Sequence, residues 1–356
     1  MDATGEIDRY FREREHNNIY SGVVRIVQGE REVFSGAYGY ASRSWRVPNT
    51  LDMRFNTASI TKLFTSVAVL QLIDRGLLGF DTRAVPFLGL RDTTISEDVN
   101  VYHLLTHTSG IGDDAEEEDG ESYEELWKNR PNYAVTQAAD FLPQFVHKPP
   151  NFAPGQGCRY CNCSYILLGL MAEKAGGMPY RDYVREHVFA AAGMARSGFF
   201  RLDRVNQDVA EGADPLLDQH GAIEGWKTNI YSFPPIGTPD GGAYVTAGDL
   251  DRFLRAVQAG RLLSPAATEA FLTPKVHYRD RDGWTMKYGY GLWFRIEGEG
   301  QIVCYQKEGI AAGVSGLIRY FPASDTSVVL LSNLEEGAWE PIRFLHDLVV
   351  AGRLER

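Results

Sequence analysis

The sequence holds no run of eighteen apolar residues, so no segment is expected to cross a bilayer as a helix. Its first fifteen residues, MDATGEIDRYFRERE, lack the apolar stretch of a secretory signal, and the expected location is the cytoplasm. Basic residues are outnumbered, 36 against 47 acidic ones, which leaves a net charge of −11. No basic patch with interleaved aromatics offsets that charge. Nucleic acids and anionic membranes both reward basic surfaces, so neither is an expected partner. Cysteine is scarce at four residues; Cys158, Cys161 and Cys163 crowd into CRYCNC, and Cys304 stands alone. A structural zinc site needs four ligands, and no second cluster completes one, so free thiols and no metal are expected. No cofactor motif is present either. G-x-S-x-G is absent, which excludes the nucleophile elbow of an α/β-hydrolase, and G-x-x-x-x-G-K-[ST] is absent, which excludes a P-loop. His103 and His107 stand four apart in HLLTH, but the glutamate of H-E-x-x-H is missing, so both read as structural histidines.

What remains is a chain rich enough in apolar residues to build a core, at 44% hydrophobic and 12% aromatic over 356 residues. That length suits two domains, or one α/β unit carrying an insertion. A helix is predicted over 4–16, followed by a hairpin in YSGVVRIVQGEREVFSGAYGYA with a polar turn at QGERE. The middle reads as helical, through EDVNVYHLLTHTSG, the amphipathic 123–146 region, and YILLGLMAEKAGG to YRDYVREHVFAAAG. Thr246 is placed to cap the helix of GGAYVTAGDLDRFLRAVQAG. The last hundred residues supply four apparent strands, YGYGLWFRI, QIVCYQKEG, SGLIRYFP and TSVVLLSNL, and then a closing helix in EPIRFLHDLVVAGRL. The acidic run GDDAEEEDGE reads as a solvated loop, without the ligand order of an EF-hand. Strands at both ends with helices between predict an α/β (α+β) fold. Residues 1–80 and 230–356 would form an antiparallel sheet flanked by terminal helices, residues 81–229 a mostly helical inserted domain, with the site in the cleft between.

One short stretch, TASITKLF, carries chemistry. Ser59 lies one turn ahead of Lys62, where Ile60, Leu63, Phe64, Val67 and Leu70 begin a helix. Thr57 or Ser59 would cap that helix, and the plain reading makes Lys62 a surface charge. The alternative is a nucleophile and its base. Positions i and i+3 share a helix face with Cβ atoms about 5–6 Å apart, within reach of an amine for a hydroxyl. Free N–H groups at the helix start would also serve a developing oxyanion.

Two further motifs follow in order: Tyr160-Cys161-Asn162 before the helix of SYILLGL, and Lys307-Glu308-Gly309 at the end of a late strand. With Ser59-Ile60-Thr61-Lys62, the set resembles the penicillin-binding-protein and class C β-lactamase superfamily, marked by S-x-x-K, Y-x-N and K-T-G. That superfamily includes esterases and D-amino-acid peptidases. FSGAYGYASRSWRVPNTLDMRFNTASITK, LLTHTSG, APGQ, NCSYILLGLMAEKAGG, GGAYVTAGDL and GLIRYFP extend the resemblance from about residue 20 to 335. It implies a β-lactamase/transpeptidase-like fold and an acyl-enzyme on Ser59, with Lys62 and Tyr160 as acid–base groups. It also implies an oxyanion hole from the N–H groups of Ser59 and Ile310, and Asn162 holding Lys62 and the substrate.

Lys62 must be neutral to act, and a free lysine titrates near 10.4, so burial and a second cation, Lys307, have to lower it. Tyr160 could then be poised as a phenolate between the two lysines. The chain departs from the family pattern at Glu308, in place of threonine, and at Cys161, in place of alanine or serine. A carboxylate at 308 would repel the carboxylate of a β-lactam. The expected substrate is therefore a short-chain ester, with β-lactams and D-amino-acid amides or peptides as alternatives, and a silent binding protein as the rival class. Phe152, Tyr231, Phe233, Trp284 and Tyr288 would line an apolar acyl pocket or serve domain packing.

Overall fold

Apolar residues alternate along the strands at both ends of the chain, and the two ends meet in one sheet. The computed structural model describes residues 3–116, 119–121 and 123–355. Strands β1 (Gly22–Gln28) and β2 (Arg31–Tyr38) form the expected hairpin. A separate hairpin joins β3 (Ala213–Leu217) to β4 (Ile223–Thr228). The C-terminal strands are β5 (Val276–Arg281), β6 (Trp284–Tyr288), β7 (Trp293–Glu297), β8 (Gln301–Ala311), β9 (Val314–Phe321) and β10 (Thr326–Ser332). The main sheet has eight strands in the order β2-β1-β10-β9-β8-β7-β6-β5, every pair antiparallel.

Successive residues of a strand face opposite sides, so each strand feeds two cores. On one side Val24, Ile26, Val328 and Leu330 pack against the terminal helices α1 (Ala3–His16) and α5 (Trp339–Val350) through Ile7, Phe11, Leu345 and Leu348. On the other, Val23, Val329 and Leu331 meet α2 (Thr61–Asp74), α3 (Asn162–Gly176) and α4 (Ala247–Gln258). Thr246 caps α4 as expected, its hydroxyl accepting from the Asp249 N–H at 3.1 Å. Helix α2 is buried around its whole circumference, polar residues included. A helix enclosed in this way needs a partner for each polar side chain, and that need shapes the site.

The structure differs from the sequence reading in several places. YGYGLWFRI is not one strand: it turns at Gly289–Leu292, where Gly291 adopts φ 90° and the Gly289 N–H meets the Leu292 carbonyl at 2.8 Å. The 123–146 region breaks into the helix Tyr123–Asn129 and three short turns, because Pro131 and Pro143 cannot continue a helical ladder. The acidic run is not simply solvated. Glu117 and Glu118 lie outside the described residues, but Asp113 and Asp114 are each only 4% exposed.

Candidate active site

Ser59 lies in a 3₁₀ turn, Ala58–Ile60, that leads into α2. Neither expected cap forms. Thr57 Oγ1 instead donates to the Ala243 carbonyl at 2.8 Å, which ties the turn to the strand edge beside it. Ala58 carries φ 41°, a left-handed conformation costing about 1–3 kcal/mol for a residue with a side chain. It is held by Asn56 Oδ1, which accepts from the Ala58 N–H at 2.8 Å, and by the Gly242 N–H, which donates to its carbonyl at 3.2 Å. The strained turn leaves Ser59 partly exposed at the cleft.

Lys62 is the reverse of a surface charge, for it is fully buried. Its Nζ lies 3.0 Å from Ser59 Oγ, 2.7 Å from Asn162 Oδ1 and 2.7 Å from the Asp240 carbonyl. The Asp240 carbonyl is positioned by packing. A Cβ at Gly169 of α3 would fall 2.1 Å from Pro239 Cγ, so only glycine lets the Pro239–Asp240 loop come this close. Thr65 Oγ1 of α2 fixes the same loop through the Pro239 carbonyl at 2.6 Å.

Tyr160 and Asn162 enter from the loop before α3. The Tyr160 ring lies beside two lysines, with Lys62 Nζ 4.9 Å and Lys307 Nζ 4.8 Å from its centroid. Lys307 Nζ is also 3.5 Å from the hydroxyl. Burial pushes the phenol well above its ordinary range, and the adjacent Ser59 hydroxyl opposes that shift. Tyr160 is therefore a neutral phenol, which corrects the phenolate expected from the two lysines. Desolvation of the oxygen is the main cause, and the neighbouring Tyr165, Glu308 and Asp240 add to the rise.

Lys307 and Gly309 lie on β8 against the Ser59 turn. A Cβ at Gly309 would fall 2.1 Å from the Thr57 carbonyl and 2.9 Å from the Ser59 nitrogen. That absence of space is the reason for glycine, and it brings β8, with Ile310 next in line, to the edge of the cleft. Burial lowers Lys307 to about 7; Glu308 opposes the shift and the Lys62 charge adds to it. An unfolded lysine titrates near 10.4, so between these values the unfolded chain holds the extra proton and stability rises with pH. In urea unfolding, the wild-type chain should gain about 3 kcal/mol over Lys307→Met between pH 7 and 9.5. A difference that does not vary with pH would remove this assignment.

Glu308 also lines the cleft, and Gln306 Nε2 holds its Oε2 at 2.9 Å. No ion pair is made to it among the described residues. The cleft holds about 860 Å³ and brings Ser59, Tyr160, Asn162, Lys307 and Ile310 together. Of the five aromatic residues expected there, only Phe233 lines it. Tyr288 is buried against His107, Trp284 stacks on Arg295, Phe152 packs under Gly157, and Tyr231 is 74% exposed. The apolar wall is made instead by Trp127, Phe141, Phe200, Tyr244, Tyr278 and Trp293.

Three residues beyond the motifs hold the centre. Asp240 does so through its carbonyl. Asp113 accepts from the N–H groups of Asn162 and Cys163, and His107 Nδ1 accepts from the Cys161 N–H. Asp113, Asp114 and Cys163 bring potential metal-ligand atoms within 4.8 Å of one another, but these bonds already engage both Asp113 oxygens. All four cysteines are free.

Residues 7–349 match the family described as Beta-lactamase. The chain belongs to the beta-lactamase family. It is 38% identical to a penicillin-binding protein from Bacillus halodurans of known structure, with a TM-score of 0.86 over 94% of this chain and 99% of that one. Esterase EstB of Burkholderia gladioli is 32% identical over 67% of this chain and 66% of the esterase. Penicillin-binding protein 4* of Bacillus subtilis is 25% identical over 89% of this chain and 69% of that protein. This beta-lactamase-family chain is thus a serine hydrolase by kinship, on the expected fold of antiparallel sheet and helices. No helix among its described residues is long and apolar enough to cross a membrane.

Proposed function

We propose that this chain hydrolyses short uncharged carboxylic esters through an acyl-enzyme on Ser59. The observation that carries the reading is the set of partners around Lys62 Nζ. A neutral amine has two N–H bonds and one lone pair. Asn162 Oδ1 and the Asp240 carbonyl can only accept, so they take the two N–H bonds. The lone pair is left facing Ser59 Oγ, the one neighbour of the three that carries a proton. Lys62 removes that proton as Ser59 attacks the ester carbonyl, and the N–H groups of Ser59 and Ile310 receive the carbonyl oxygen. Tyr160, a neutral phenol beside Ser59, gives its proton to the departing alkoxide and is reprotonated from Lys62. Water then attacks the ester of Ser59 and its proton returns by the same groups to Ser59 Oγ.

The uncharged substrate follows from Glu308. Glu308 lines the cleft one residue beyond Lys307, and its negative charge would act on an anionic acyl donor docked there. Repulsion of only about 1.4 kcal/mol costs tenfold in binding, and a neutral ester escapes it. The likeness to an esterase supports this reading, and the names of the penicillin-binding relatives favour β-lactams. The same carboxylate supports a second reading, D-amino-acid amides, whose ammonium it would attract.

A panel of p-nitrophenyl butyrate, nitrocefin and D-alanyl p-nitroanilide on one preparation tests the proposal. The ester should give the highest kcat/KM. A higher value for nitrocefin sinks the esterase reading, and no turnover of any of them supports a silent scaffold. Glu308→Thr should raise kcat/KM for nitrocefin about tenfold and change that for the ester less than threefold.

A further inference from the structure

The segment His107–Asp113 belongs to none of the three motifs, yet the Tyr160 loop is laid onto it bond by bond. The Arg159 N–H donates to the His107 carbonyl at 3.0 Å, and the Cys161 N–H to His107 Nδ1 at 3.0 Å. The N–H groups of Asn162 and Cys163 donate to Asp113 Oδ2 at 2.8 Å and Oδ1 at 2.9 Å. Asn162 Nδ2 is 3.3 Å from the same Oδ2 and 2.6 Å from the Tyr123 hydroxyl, and the two contacts turn the Asn162 carbonyl oxygen toward Lys62. Ser109 Oγ meets Ser164 Oγ of α3 at 3.1 Å and ties the middle of the segment to the same helix.

We propose that His107 and Asp113 are positioning residues for the hydrolytic reaction, together fixing Tyr160 and Asn162 against Lys62 and Ser59. The inference rests on the Ser59 acyl-enzyme reading. Asp113 is a carboxylate brought from distant sequence to the N-terminus of a fifteen-residue helix, where it takes the free N–H groups that no local side chain caps. His107 adopts φ 56°, strain that a histidine tolerates only when its surroundings hold it there. Its Nδ1 accepts a hydrogen bond from the Cys161 N–H, so its Nε2 carries the ring proton and donates to the Tyr288 hydroxyl at 2.8 Å. The ring packs 4.6 Å from that of Tyr160, centroid to centroid. Burial holds His107 well below its ordinary range and so keeps the required neutral tautomer.

The position of Asp113 is tested against a buried aspartate elsewhere in the fold. Asp251 of α4 is also buried, but its carboxylate takes the Ser327 hydroxyl of β10 and no group of the loop. Rates on p-nitrophenyl butyrate are expressed per serine titrated to completion with a fluorophosphonate, so misfolded protein drops out. Asp113→Asn puts an N–H donor against the N–H of Asn162 or Cys163. It should lower kcat at least about thirtyfold with KM changed less than threefold, as small misplacements of reacting groups do. Asp251→Asn should change both less than threefold. At the other anchor, His107→Phe keeps a ring and loses the acceptor, while His107→Asn restores an acceptor oxygen; the asparagine should recover at least tenfold of the kcat that phenylalanine loses. Equal effects of the two aspartate variants overturn the Asp113 role, and equal effects of the two histidine variants overturn that of His107. If Asp113→Asn yields no titratable serine, the histidine pair decides. A wild-type chain that neither labels nor turns over an ester would fail the Ser59 reading itself, a result distinct from either.

Discussion

Ser59→Ala should abolish covalent labelling by a fluorophosphonate and lower ester turnover at least about 10⁴-fold, the scale on which loss of a catalytic serine acts. The protein should remain folded. Ser59 is partly exposed, and Lys62 Nζ has other oxygen partners besides the Ser59 hydroxyl. Asn162 Oδ1 and the Asp240 carbonyl stay in place, so the cost to stability is about 1 kcal/mol. Mass spectrometry of the labelled chain and a thermal melt check both halves of the expectation. Labelling that persists on another serine moves the nucleophile elsewhere.

The strain at Ala58 belongs to the same argument. A left-handed alanine is held in place by a buried asparagine side chain and by the backbone at Gly242. Stability is given up where the turn presents Ser59 to the cleft, and it is regained where α2 is enclosed. Phe64 shows the scale of that enclosure. It is fully buried with edge contacts to Phe189 and Phe253 at 4.9 Å each, a residue whose truncation typically costs about 3–5 kcal/mol. One of the fold's strained residues thus stands beside the candidate nucleophile.

The Ser59–Lys62 pair could be read from the sequence because its geometry is local: three positions on a helix fix the approach of the two side chains. Tyr160, Asn162 and Lys307 carry no such local signal and were legible only as an ordered set of motifs. What escaped was long-range or carried no side-chain signature. Asp240 acts through its backbone carbonyl, which any residue would offer, at a separation of 178 positions from Lys62. Asp113 stands in a run of acidic residues where composition suggests solvent, and only the fold brings it to a helix start 49 positions away. His107 looks like any histidine of an amphipathic helix until its ring is seen between Cys161 and Tyr288. In the fold itself, β5 was missed because VHYRDR is an edge strand, mostly exposed and charged, with no apolar alternation. The aromatic wall of the cleft was missed because its members come from separate segments of the chain, and no period in the sequence links them.

Lys62→Ala and Tyr160→Phe should each lower turnover of an alkyl ester at least about a hundredfold, the usual scale of a general acid–base group. They should separate on a second substrate. A p-nitrophenyl ester expels a leaving group that departs as its own anion and needs no proton. A neutral Tyr160 acts on the leaving group, so Tyr160→Phe should cost much less on the p-nitrophenyl ester than on an ethyl ester of the same acid. Lys62 acts on the nucleophile, so Lys62→Ala should cost about the same on both. The phenylalanine ring still fills the space beside Lys62 and Lys307, so the fold should survive. Losing Lys62 is harder on the structure, because two buried oxygens lose their donor. Lys62→Met, which fills the volume without the amine, is the control that separates lost chemistry from lost packing. Equal losses for Tyr160→Phe on the two esters would move Tyr160 from the leaving group to the activation of Ser59.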